Sequence, residues 1–148
     1  MDVKHKVGTV VEAQSGCITL SWVNRGSVTL SKSGKSFRQA KLHMGAGVYR
    51  IRVHKDGEQL HCYIGHGVNV RRRVAEDVRY HRKAIRKALH AGGNVQVDLA
   101  EDVFWSEGKA RGHLDPARGE FVRLMIEGVA VGFESPNLGM LNKARGRK

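Results

Sequence analysis

The chain has 148 residues, 41% of them hydrophobic, and sets 26 Lys and Arg against 14 Asp and Glu for a net charge of +12. A domain of this length buries roughly 70% of its unfolded surface, so the composition argues against a wholly disordered basic tail. No stretch approaches the ~18 apolar residues of a membrane span, and the N-terminus lacks an apolar signal core, so a soluble, cytoplasmic (intracellular) protein with no membrane partner is expected.

Charge is unevenly spread along the chain. Residues 1–68, 69–97, 98–134 and 135–148 sum to +6, +6, −4 and +4. A clustered positive field attracts polyanions, of which nucleic-acid phosphate is the commonest. The bland alternative, a solvated face, needs a net charge of only about 2–8.

In chain order, residues 7–30 alternate β-branched and polar types and predict two or three short strands, with turns at Ser15-Gly16 and Arg25-Gly26. Cys17 and Cys62 are too far apart in sequence to form a local zinc or redox motif and are expected to be free thiols. The polar link 31–41 contains Gly34-Lys35-Ser36, yet Thr29 and Leu30 stand where a phosphate-binding loop needs its upstream glycine, which excludes that motif. This link is also the one candidate boundary, dividing a β-rich extension at 1–40 from a domain at 41–148.

Two further strands are predicted at 48–53 and 59–64, joined by a hairpin turn at Asp56-Gly57. From Asn69, a candidate cap, Val70, Val74, Val78, Ile85 and Leu89 recur at helical spacing until Gly92-Gly93, which predicts one long helix or two abutting ones. This segment carries Arg71, Arg72, Arg73, Arg79, Arg82, Lys83, Arg86 and Lys87, a candidate nucleic-acid-binding surface. Val95, Val97 and Leu99 predict another strand, 101–119 a polar, Gly-containing segment, and 121–131 a final short helix closed by Pro136. The fold class is therefore α+β, a small antiparallel sheet flanked by helices.

Within this frame Gly47-Val48-Tyr49 opens one strand and Tyr63-Ile64-Gly65 closes part of the next. Arg73 follows ten residues after Tyr63, Glu127 lies in the apolar helix, and Leu141-Asn142 comes late in the chain. Over about 47–142 this order resembles the GIY-YIG nucleases, most nearly their compact phage and restriction-type members. The resemblance implies a metal-dependent endonuclease that hydrolyses DNA phosphodiester bonds. Glu127 would hold one Mg²⁺ or Mn²⁺, Arg73 would hydrogen-bond the scissile phosphate, and Tyr49 and Tyr63 would line the site, one relaying a proton from the attacking water. Asn142 and Lys143 would join the nucleic-acid-binding residues.

Read from the residues alone, each position has a plainer role. A strand tyrosine serves as a core-edge residue, Glu127 faces solvent or pairs with Arg123 four residues earlier, and Arg73 is one more phosphate-tracking arginine. His66 stands where many family members have lysine, and acts either as a general base or as a turn residue before Gly67. Asp77 stands where the family places His or Tyr. It is expected to pair with Arg73, unless Tyr80 or His81 supplies the hydroxyl or imidazole. Asp98, Glu101 and Asp102 form an acidic cluster read as a solvated face, and the other histidines lack metal-type spacing.

Three functions remain: an endonuclease, a non-catalytic nucleic-acid-binding module on the same scaffold, and a basic RNA-associated protein. A cutter of duplex DNA of this size is expected to form a homodimer, since one active site severs one strand.

Overall fold

A computed structural model describes residues 7–13, 16–31, 33–34, 37–39, 45–134 and 141–142. They form an α+β fold. Seven strands, β1 (Val7–Ala13), β2 (Gly16–Leu30), β3 (Phe37–Gln39), β4 (Gly47–Lys55), β5 (Glu58–Gly67), β6 (Asn94–Glu107) and β7 (Ala110–His113), make one antiparallel sheet. The main path runs β1-β2-β6-β4-β5, with β3 on β2 and β7 on β6. Helices α1 (Val70–Glu76), α2 (Lys83–His90) and α3 (Glu120–Glu134) complete the fold, with a π-helical turn at Asp77–His81 and a 3₁₀ turn at Pro116–Arg118. No helix among the described residues is long and apolar enough to cross a membrane.

Period-2 alternation on β4 sends Tyr49, Ile51 and Val53 to one face and Val48, Arg50 and Arg52 to the other. The first set packs with Tyr63, Val70, Val74, Val78, Ile85 and Leu89 under α1 and α2, and the second face joins Val48, Ile64, Leu20 and Trp22 to Ile126 and Ala130 of α3. Each fully buried aliphatic contributes roughly 1.5–3 kcal/mol. The Asp56-Gly57 turn has positive φ at both residues, 53° and 82°, as a two-residue hairpin matched to strand twist requires.

One local expectation needs correcting. Arg25-Gly26 is a bulge inside one long strand: Asn24 pairs Asp98 and Gly26 pairs Val97, leaving Arg25 extra. A second bulge makes Glu101 extra on β6, and the two bulged residues meet, Arg25 Nε donating to Glu101 Oε2 at 2.6 Å. In the polar segment 101–119, β6 runs on to Glu107 and turns into β7. The extended part lies beyond the helical layers with Phe104 and Trp105 exposed, so it carries no burial rhythm to read. Of the two expected arrangements the helical segment takes the second, two helices joined through the π turn, and Arg86 Nη1 ties that turn by donating to the carbonyls of Val78 and Arg79 at 3.2 and 2.7 Å. Pro136 lies outside the described residues.

Within the acidic cluster Asp98 is not solvated. Asp98 is buried beneath Arg50 and Arg52, accepting from Arg50 Nε at 2.8 Å and from Arg52 Nη2 at 2.9 Å. Arg50 also reaches Glu134 at the end of α3 at 2.5 Å and lies 4.8 Å above the Trp22 ring. This network pins the last turn of α3 to the sheet. Nearby Cys62 is a buried free thiol pushed up to about 12, chiefly by burial and then by the Glu134 charge. The strands of 1–40 belong to the same sheet as the rest, since β2 pairs with β6 along most of its length.

Candidate functional site

The paired strands β4 and β5 put Tyr49 opposite Gly65 and Ile51 opposite Tyr63, so the two tyrosines sit diagonally on one face with ring centroids 6.5 Å apart. Gly65 is needed for this arrangement. A Cβ there would collide with the Tyr49 hydroxyl and ring, so only glycine lets the ring lie across β5.

Tyr49 is wholly buried and its hydroxyl donates to Asp77 Oδ2. Helical spacing explains the carboxylate's position, because 70, 74, 77 and 78 fall on one stripe, and Asp77 is 1% exposed beside the buried valines. Burial first, then the Asp77 charge, hold the Tyr49 hydroxyl in its protonated form. Asp77 thus takes its hydrogen bond from Tyr49 rather than acting only as a neighbour of Arg73. The guanidinium of Arg73 still responds. Partial burial opposes its charge, but Tyr49 and Asp77 beside it outweigh that and raise its pKa. Tyr63 is partnered differently: Arg82 Nη2 donates to its hydroxyl at 3.1 Å and the guanidinium lies 4.2 Å above its ring. Burial raises the Tyr63 pKa despite Arg82, and the Glu127 charge adds to the rise. Tyr80 is 72% exposed, and the His81 side chain is outside the described residues.

On the other side of β5, His66 Nε2 meets Glu127 Oε2 at 3.2 Å, both side chains being largely covered. Glu127 therefore turns onto the sheet rather than into solvent or onto Arg123. The His66 pKa is lowered by burial, then by Arg123 and Arg73, against Glu120, which keeps the imidazole neutral at pH 7. With Nε2–H given to Glu127, the lone pair lies on Nδ1, which is buried without a hydrogen-bond partner.

A cleft of about 400 Å³ opens where β5 ends, between the first turns of α1 and α3. His66, Arg72, Arg73, Glu76, Glu120 and Arg123 are among the residues that line it. Of the expected catalytic set it brings together His66 and Arg73. Glu127 reaches it through His66, and the tyrosines stay behind the α1 wall. Along the basic segment Arg72, Arg79, Lys83 and Lys87 are exposed and Arg71 is half-buried, whereas Arg82 and Arg86 are engaged by Tyr63 and by the π turn. Asn142 covers the free edge of β5, its amide bonding both the N–H and the carbonyl of Ile64 at 2.7 Å. Lys143 lies outside the described residues.

Sequence reasoning treated Arg123 only as a partner for Glu127 and gave Glu120 no role. The spacing 123, 126, 130 carried the signal, since it places the arginine on the same stripe as the buried Ile126 and Ala130.

Among the described residues no three His, Cys, Asp or Glu side chains gather into a metal cage. Glu127, with one histidine beside it, is a single-carboxylate arrangement. That suits a hard divalent ion such as Mg²⁺, which keeps several waters and takes one or two carboxylates plus phosphate oxygens. Compared with family models, with curated proteins and with solved structures, the chain finds no match.

Proposed function

We propose that the protein is a metal-dependent endonuclease that hydrolyses DNA phosphodiester bonds at the cleft beside β5, as its resemblance to the GIY-YIG nucleases implies. The observation that carries this reading is the meeting of His66 and Arg73, from different elements, in one cleft with Glu127 against His66. Arg73 presents its planar fork to the scissile phosphate and stabilises the charge that develops on phosphorus. Neutral His66, which lines the cleft, serves as the general base for the attacking water. Tyr63, whose hydroxyl accepts from Arg82, stays behind the α1 wall as a supporting residue, so the leaving oxygen takes its proton from solvent. Tyr49 is committed to Asp77 and supports the site without taking part in proton transfer. A Mg²⁺ or Mn²⁺ held by Glu127 would supply Lewis-acid charge at the phosphate.

Supercoiled plasmid incubated with the protein and Mg²⁺ or Mn²⁺ tests the reading. Nicking is expected, with Arg73→Ala and Glu127→Ala each slowing it by about a hundredfold or more. Absence of nicking by the unaltered protein across metals and pH would sink the enzyme, and nicking unaffected by Glu127→Ala would sink the metal assignment. The burial of Tyr49 and its bond to Asp77 favour a second reading, a non-catalytic nucleic-acid-binding module. That reading expects salt-sensitive DNA binding with no cleavage.

A further inference from the structure

Two arginines of this protein are buried to the same degree, and their surroundings differ. Arg50 and Arg123 are each 5% exposed. Arg50 is answered by two carboxylates, Asp98 and Glu134. Arg123 has one hydrogen bond, from Nη1 to the Pro116 carbonyl at 3.2 Å, while its Nε is buried with no partner among the described residues. No described carboxylate lies within 4.0 Å of it either, although it lines the cleft. A buried guanidinium normally has an anion beside it.

The cleft has a second guanidinium, that of Arg73 on α1, which is exposed and lies in the field of Asp77. Arg73 also lacks a described carboxylate at ion-pair distance, whereas Arg72 is drawn to Glu76 at 3.9 Å. Arg72, Arg73 and Arg123 all line the cleft, so guanidiniums from two helices bring positive charge to it. Planar forks on two helices suit an oxyanion with several acceptor atoms, and about 400 Å³ leaves room for a phosphate with an attached nucleoside.

We propose that the cleft is a phosphate-binding subsite in which Arg123 on α3 and Arg73 on α1 hold one phosphate group between them. Arg123 is its anchor, and the missing counter-charge of this buried arginine is supplied by the ligand. The subsite rests on the nuclease reading only for the expectation that the phosphate belongs to a nucleic acid. Its test is therefore binding without added metal.

The Nε–H resonance of Arg123 is followed by NMR while inorganic phosphate, a short 5′-phosphorylated DNA duplex, or the same duplex with 5′-hydroxyl ends is added. In parallel, duplex affinity is measured against salt for the unaltered protein, Arg123→Gln and Arg123→Lys. The Arg123 resonance should shift, Arg123→Gln should weaken duplex binding about tenfold and reduce the salt slope by about one, and Arg123→Lys should recover part of the loss. A shift with both duplexes identifies an internal phosphodiester as the ligand. A shift confined to inorganic phosphate and the phosphorylated duplex identifies a terminal phosphate. If no probe moves the resonance, or if Arg123→Gln keeps full affinity and slope, the subsite is overturned. Should Arg123→Gln fail to fold, the titration of the unaltered protein decides by itself. Plasmid left intact by a protein whose Arg123 responds would reject the nuclease and leave the subsite standing.

Discussion

Asp77 and Tyr49 form a buried pair whose members are 28 residues apart in sequence. Replacing Tyr49 by Phe keeps the ring over Gly65 but leaves the carboxylate with one donor fewer, which costs about 1–3 kcal/mol. Urea denaturation should show this as a lower midpoint with unchanged slope, while Tyr80→Phe on the surface should leave the midpoint in place. The tyrosine, glycine and arginine positions were legible through the order in which they resemble the GIY-YIG nucleases. The pairing of Asp77 was not, because sequence offers it only the neighbour one helical turn away. A carboxylate turned inward takes the buried donor that the sheet presents. Arg123 was obscured for the opposite reason: a charged residue is expected to face water, although its spacing placed it inward.

At the scale of elements, α3 is fixed along its length by three polar contacts, Arg123 to Pro116, Glu127 to His66 and Glu134 to Arg50. It presents a stiff wall to the cleft. The strand opposite, β5, is the outer strand of the main path, and residues 141–142 cover it: Leu141 N–H bonds the Cys62 carbonyl while the Asn142 amide bonds Ile64. Asn142→Ala should therefore loosen this edge. Native-state hydrogen exchange at the Ile64 amide should quicken roughly fivefold, the equivalent of about 1 kcal/mol, with little change at Ile51 in the centre of β4. Unchanged protection at Ile64 would show that Asn142 adds nothing to the strand. Strand and helix types could be read wherever one face is buried. The read-out failed at Arg25-Gly26, where a bulge has the composition of a turn, and along the end of β6, where Phe104 and Trp105 are exposed.

For the whole molecule, the polar link at 31–41 suggests a seam, yet β2 and β6 pair through 11 register positions and Leu20, Trp22 and Val28 belong to the two cores. A fragment spanning 41–148 would expose a long edge of β6 and lose core from both faces. It is expected to show no cooperative thermal transition by circular dichroism. A transition as sharp as that of the full chain would mean that the extension is dispensable. Hydrophobic periodicity led to the fold class and charge to the polyanion expectation, but strand pairing across more than half the chain leaves no local trace in sequence.

That long-range pairing also sets an order of events during synthesis. The β4–β5 hairpin and α1 are built from contacts close in sequence, whereas Asn24 must find Asp98, 74 residues later. At roughly 5–20 residues per second, the β1–β2 hairpin leaves the ribosome and waits about 4–15 s before its partner strand exists. The β1–β2 hairpin is thus left unpaired on its inner edge while the next about 60 residues are made, and for that interval the nascent protein is most exposed to joining a neighbour instead of itself.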